Sequence, residues 1–217
     1  MTDKKTILEK ARTFVFQELA SESSGHDWWH IHRVTQNAIT IAKQEGADLF
    51  ICELAALLHD IADAKFNESE AAGLQIVQNW LTTNGVSASD SEHILHIIQY
   101  MSFKGGTQSH VSLSLEGQIV QDADRLDALG AIGIARTMAY SGHFGRPIHD
   151  PTRKPREQLN LEEYRNGQDT AIMHFYEKLL KLKDLMNTTH AKKMAQGRHQ
   201  FLEVYLEQFY AEWEAER

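Results

Sequence analysis

The sequence predicts an all-α protein, and three observations predict it. Apolar residues recur at i, i+3 and i+4 along most of the chain, the spacing of one helix face. The 217 residues include only 3 prolines, all between positions 147 and 155, which leaves room for long helices elsewhere. No stretch reads as a convincing strand.

The elements follow in order. Residues 4–22 form an amphipathic helix with Ile7, Leu8, Ala11, Phe14, Val15 and Leu19 on one face, and Ser23, Ser24 and Gly25 break it. A second helix runs from about Asp27 to Gln44, and Gly46 supplies its stop. The third, over about 49–61, is apolar nearly all round, as a central helix should be. The fourth covers 68–83 and ends near Asn84-Gly85, and the fifth, over about 90–101, takes Ser87 or Ser89 as its cap. A loop follows at Phe103-Lys104-Gly105-Gly106. A sixth helix starts near Leu113 and continues in two pieces to Tyr140. Residues 142–167 hold all the prolines and read as a long ordered loop, a kind of segment that often carries function. Helices over about 168–187 and 188–216 close the chain. No linker, repeat or low-complexity stretch divides it, so one domain over 1–217 is expected, with a core of roughly 20–205.

Composition bounds the partners. A net charge of -8 gives no general attraction for nucleic acid or anionic membranes. The mean hydropathy of -0.43 is that of an ordinary globular chain, and no run of about 20 apolar residues offers a membrane span. The N-terminus is charged and amphipathic, unlike a secretion signal. The single cysteine, Cys52, lies in the apolar run ICELAALL and reads as core filling. Together these point to a reducing, cytoplasmic setting. The oligomeric state is left open, with a homodimer among the options. The 12 histidines stand out by where they fall.

His59-Asp60 closes the apolar third helix, where a buried imidazole and carboxylate cost energy unless something compensates them. An Asp–His hydrogen bond at a helix end is one reading, and a shared metal ion is the other. Upstream, GHDWWHIHRV places His26 and His30 four residues apart on one helical face, and either could be a ligand. Downstream, QDADRLDALGAIG crowds Asp122, Asp124 and Asp127 onto an apolar helix. These carboxylates repel unless a cation sits among them, and Arg125 is a structural alternative to a metal.

The order H…HD…D, with HxxRV, LLHDI and ADRL around its members, resembles the HD-domain phosphohydrolase superfamily. HDWWH, HDIADAKF and DADRLDALGAIG are more similar still to bacterial stand-alone HD proteins that resemble nucleotide pyrophosphohydrolases. The resemblance covers roughly residues 20–205. It implies an irregular helical bundle with a central metal site. It also implies the ligands His30, His59, Asp60 and Asp124, with Asp122 and Asp127 as competitors for the last place and His26 lining the entrance.

Two imidazoles and two carboxylates suit one divalent ion. Manganese is preferred, iron, cobalt, nickel or magnesium would also fit, and zinc is less favoured. Four protein ligands on an octahedral ion leave places for a water and a phosphate oxygen. The resemblance implies Asp63, one turn past His59, as acid/base or water-orienting group. Lys65 in the same loop could neutralise a phosphate. Arg33, one turn after His30, Lys104 beside its glycines, and Arg146 with His143 in HFGRPIHDP are further substrate-binding candidates. His96 reads as a pocket residue and His93 as exposed. An extra ion at His93, His96 or His110 would instead suggest a phosphodiesterase or a di-iron oxygenase. Trp28 and Trp29 are adjacent on the helix, so at least one of them packs. The expected activity is hydrolysis of a (deoxy)nucleoside triphosphate to monophosphate and pyrophosphate. A nucleotide phosphatase or phosphodiesterase is the alternative within hydrolases, and a non-catalytic metal- or nucleotide-binding sensor the alternative outside them.

Overall fold

The computed structural model describes residues 3–19, 27–63, 67–101, 111–156 and 169–217, and every regular element among them is helical. Helix α1 spans Lys4–Leu19, α2 Trp28–Glu45 and α3 Leu49–Leu58, which tightens into a 3-10 turn at His59–Ala62. Then come α4 at Glu70–Thr83, α5 at Ala88–Met101, α6 at Leu115–Asp127 and α7 at Gly130–His143. Helix α8 is Ala171–Glu177, a second 3-10 turn covers Leu179–Leu185, and α9 runs from Thr189 to Trp213. No helix among the described residues is long and apolar enough to cross a membrane.

Local chemistry sets most boundaries. The Asp27 side chain accepts the His30 N–H at 2.9 Å and so fixes the first turn of α2. Gly46 ends that helix in the left-handed region (φ 75°), its N–H returning to the Ala42 carbonyl. Of the two serines offered as cap for the fifth helix, Ser87 serves: its Oγ accepts from the Asp90 N–H at 3.1 Å. Ser114 does the same for Gly117, so α6 begins at Leu115 rather than Leu113.

The chain divides into two compact units, Met1–Asp124 and Arg125–Arg217. In the first, α3 is the hub. It packs against α1, α2 and α5, and its residues Phe50–Cys52 and Leu54–Leu58 are buried. Helix α4 lies on α5 and on the 3-10 turn that prolongs α3. In the second unit, α7 packs on α8 and α9, with the second 3-10 turn against the same two helices. Phe175 stacks on Tyr205 there. Arg156 holds Glu177 through its backbone N–H, Nε and a terminal nitrogen, each at 2.9 Å.

Two expected helices come out differently. The third ends in α geometry at Leu58, so the His-Asp doublet sits on the tighter turn. The segment expected as one helix over 168–187 is α8 and a 3-10 turn, parted at Lys178 (φ -134°, ψ -60°). The expected continuation of α1 beyond Leu19 lies outside the described residues.

Candidate metal centre

The centre is assembled within the first unit, from α2, the 3-10 turn after α3, and α6. His30 and His59 are buried, with ring centroids 5.5 Å apart. Asp60 joins them: its Oδ2 lies 3.5 Å from His30 Nε2 and its Oδ1 3.2 Å from His59 Nε2. One ligand atom from each of these three residues can be chosen so that all lie within 4.8 Å of one another. On α6, Asp124 Oδ1 stands 3.5 Å from His30 Nε2, and its side chain is 40% exposed, so it forms the solvent side of the cluster.

The turn orients its donors. His59 and Asp60 follow one another on this turn, and their side chains still meet, with Asp60 Oδ1 3.2 Å from His59 Nε2. His59 Nδ1 donates to the Ala56 carbonyl at 2.8 Å, which leaves the lone pair on Nε2 facing the carboxylates. That Nε2 is buried and makes no hydrogen bond among the described residues. Burial opposes a charge on His59, but Asp60, Asp124, the bond to Ala56 and Asp63 together outweigh it and raise its pKa. A buried nitrogen lone pair among carboxylates fits a divalent cation, and the mixed nitrogen and oxygen donors suit a first-row ion or magnesium.

Two residues that the sequence reading passed over hold this turn in place. A Cβ on Gly73 of α4 would meet the Ala62 carbonyl oxygen at 2.6 Å, so only glycine lets α4 lie against the turn. A lone glycine inside a helical pattern was the available signal. Asn67 Nδ2 donates to the carbonyls of Ile61 (2.8 Å) and Asp63 (2.9 Å), clasping the strand of chain that leaves the turn. Nothing in its sequence context marked it.

The remaining candidates fall in different places. Asp63 ends the turn, its N–H bonded to the Asp60 carbonyl at 3.0 Å, close enough for its charge to act on His59. Arg33 is half-buried on α2, one turn after His30. Asp122 is fully buried, and Asp127 pairs with Arg136 at 3.0 Å. Arg125 donates to the Leu185 carbonyl. His93, expected to be exposed, is half-buried and held by Ser114 Oγ at 2.7 Å, because Ser114 also caps α6. His96 is the exposed one. It leans on Tyr100 and lines a groove between α4 and α5 that includes none of the clustered residues. In the second unit, Arg146 pairs with Asp169 at 3.0 Å beneath the Tyr140 ring, and His143 is exposed beside Phe144. His26, Lys65, Lys104 and His110 lie outside the described residues.

Helices that gather imidazoles and carboxylates around one buried point define a class, the all-α proteins with a candidate metal site. Comparison with known proteins makes the class specific. Residues 28–129 match the HD domain, a span that takes in His30, His59, Asp60 and Asp124. The Bacillus subtilis protein YpgQ is 40% identical over 201 residues, 92% of this chain and 90% of that one. Its crystal structure in complex with ADP superposes with a TM-score of 0.78 at 37% identity, covering 96% of each chain. A Bacillus thuringiensis HD-superfamily hydrolase is 50% identical, with a TM-score of 0.79 over 98% of this chain and 100% of that one. A Lactobacillus plantarum protein of solved structure reaches a TM-score of 0.85 at 46% identity, over 97% and 98% of the two chains. The chain belongs to the HD superfamily of hydrolases.

Proposed function

We propose that the protein is a phosphohydrolase that cleaves (deoxy)nucleoside triphosphates to monophosphate and pyrophosphate, with His30, His59, Asp60 and Asp124 holding one divalent ion. The observation that carries the reading is the buried His30–His59–Asp60 cluster with Asp124 on its solvent side. The nucleotide part is supported by the complex of YpgQ with ADP. A cation at the cluster, manganese in this reading, would supply positive charge against phosphate oxygens and lower the pKa of a water.

The chain's own groups do the rest. Asp63, at the end of the turn, accepts a proton from the attacking water at its carboxylate. Arg33, on the same helix as His30, holds a phosphate oxygen through its guanidinium. Lys65 and Lys104 remain candidates for further phosphate contacts. His26, His96, His143 and Arg146 stay in this reading as candidates for substrate contacts. The reading includes a small-molecule substrate rather than nucleic acid or membrane, a cytoplasmic setting, and 1–217 acting as one HD domain. His93 is engaged by Ser114, which favours a single ion over a pair.

The test is a release screen across nucleotides with manganese, magnesium, cobalt and EDTA arms, run on the parent and on His59→Ala. Metal-dependent pyrophosphate release, lost in the variant, is expected. Free phosphate would replace the reading with a phosphatase, and nucleotide binding without turnover would replace it with a sensor. Near two ions per chain would move it to a binuclear oxygenase or phosphodiesterase.

A further inference from the structure

The turn that carries His59 and Asp60 and the residue just past it are held by different contacts. His59 is anchored through Nδ1 to the Ala56 carbonyl at 2.8 Å, and Ala62 rests against Gly73 of α4. Asp63 lies beyond both. The chain leaves helical geometry there for extended backbone (φ -64°, ψ 133°), so the direction of its side chain depends on what grips the backbone on either side. On one side the Asp63 N–H donates to the Asp60 carbonyl at 3.0 Å. On the other its carbonyl accepts from Asn67 Nδ2 at 2.9 Å, and the same nitrogen donates to the Ile61 carbonyl at 2.8 Å.

The half-buried Asn67 suits this place chemically. Carbonyls at the end of a helical turn lack the partners that a continuing helix would give them. An asparagine amide carries two N–H donors, and here each reaches one such carbonyl. The two carbonyls also decide which way the amide faces, because its oxygen in that position would oppose two other acceptors. They bracket Ala62, the residue that meets α4, so one side chain ties the end of the turn and the first residue beyond it to a single point.

We propose that Asn67 is a positioning residue for the reaction, setting the direction in which the Asp63 carboxylate leaves the backbone and acting on turnover through Asp63. This rests on the proton-transfer role given to Asp63 above. Asn67 needs no contact with substrate or ion to act in this way. A group that must meet an attacking water is sensitive to its placement, and a shift on the order of 1 Å can cost about 10²-fold in rate. Metal affinity depends instead on His30, His59, Asp60 and Asp124, whose placement rests on α2, α6 and the contacts of the turn with Ala56 and Gly73.

The experiment measures kcat and KM with manganese, using whichever ribo- or deoxynucleoside triphosphate the parent cleaves fastest. The proteins are the parent, Asn67→Ala, Asn67→Asp, Asp63→Asn and the double variant of Asp63→Asn with Asn67→Ala, with excess enzyme in single turnovers for the slow ones. Calorimetric manganese titrations and circular dichroism melts accompany each, and Asn67→Asp keeps the volume of the side chain if the alanine variant does not fold. Both Asn67 variants should lower kcat about ten-fold or more with KM little changed, and neither should bind manganese more weakly. On the Asp63→Asn background, Asn67→Ala should have almost no further effect, because the group it positions is already gone. An unchanged kcat, an equal fold-loss on both backgrounds, or manganese affinity falling in step with kcat would overturn the role of Asn67 while leaving that of Asp63 intact. Full turnover in Asp63→Asn, or a parent that cleaves no nucleoside triphosphate, would overturn both together.

Discussion

Gly73 and Ala62 touch through their backbones, and this contact ties α4 to the turn that carries His59 and Asp60. With the Ala62 carbonyl 2.6 Å from where a Cβ would stand, Gly73→Ala must push the two apart. Overpacking of this kind costs about 1–3 kcal/mol. The variant should lose stability on that scale, read by urea unfolding, and should also bind manganese more weakly, because the turn itself moves. Unaltered metal affinity beside the lost stability would show that the contact serves packing alone.

His59 ties stability to pH in the metal-free protein. Its folded pKa is raised above the ordinary value, so its contribution is fully present below about pH 6.5 and is lost as pH rises through the raised value. A cation competes with that proton, so manganese should bind more tightly as pH rises over the same interval. Unfolding of EDTA-treated and manganese-loaded protein across pH 6 to 9 checks both trends. The metal-free protein should weaken toward alkaline pH while the loaded one holds, and His59→Gln should remove the difference.

In the proposed reaction Asp63 moves a proton and is not one of the residues that hold the ion. Asp63→Asn keeps the shape and removes the basic carboxylate. Turnover should fall roughly 10²–10⁴-fold, the usual scale for a general base, with metal content by plasma mass spectrometry unchanged. Retained turnover would remove Asp63 from the reaction.

His174 of α8 has the opposite sign from His59. Burial first, then Lys178 and Arg146, depress its pKa to about 3, against the lesser upward pull of Glu177. The unfolded chain takes up a proton near pH 6.5 that the folded chain refuses, so stability falls as pH drops from there. The slope from this group is at most about 1.4 kcal/mol per pH unit. In His174→Gln that slope should be absent, as denaturant midpoints between pH 6.5 and 4.5 would reveal. An unaltered slope would assign the acid sensitivity to other groups.

The sequence was most legible where a residue does one local job. Gly46, Asp27 and the apolar circumference of α3 could be read from spacing, because helix stops, caps and burial depend on near neighbours. Resemblance to a family supplied His30, His59 and Asp60, which the fold brings within a few ångströms of one another. What could not be read depends on distant partners. The 3-10 tightening at His59 accompanies α4 packing through Gly73. The break at Lys178 interrupts a pattern whose apolar periodicity looks continuous. Asp127 pairs with Arg136, nine residues on, and Arg125 donates to a carbonyl 60 residues away. Local pattern fixes which face is buried, but it does not choose which of two arginines reaches a given carboxylate.

Cys52, the sole cysteine, is wholly buried in α3, where enclosure and the negative charges of Glu116 and Asp48 push its thiol up to about 12. At neutral pH it is a protonated sulfur that a reagent cannot meet until the hub helix comes apart. The molecule thus contains its own clock. The rate at which a maleimide reaches Cys52 in the purified protein, with and without manganese, times the opening of α3.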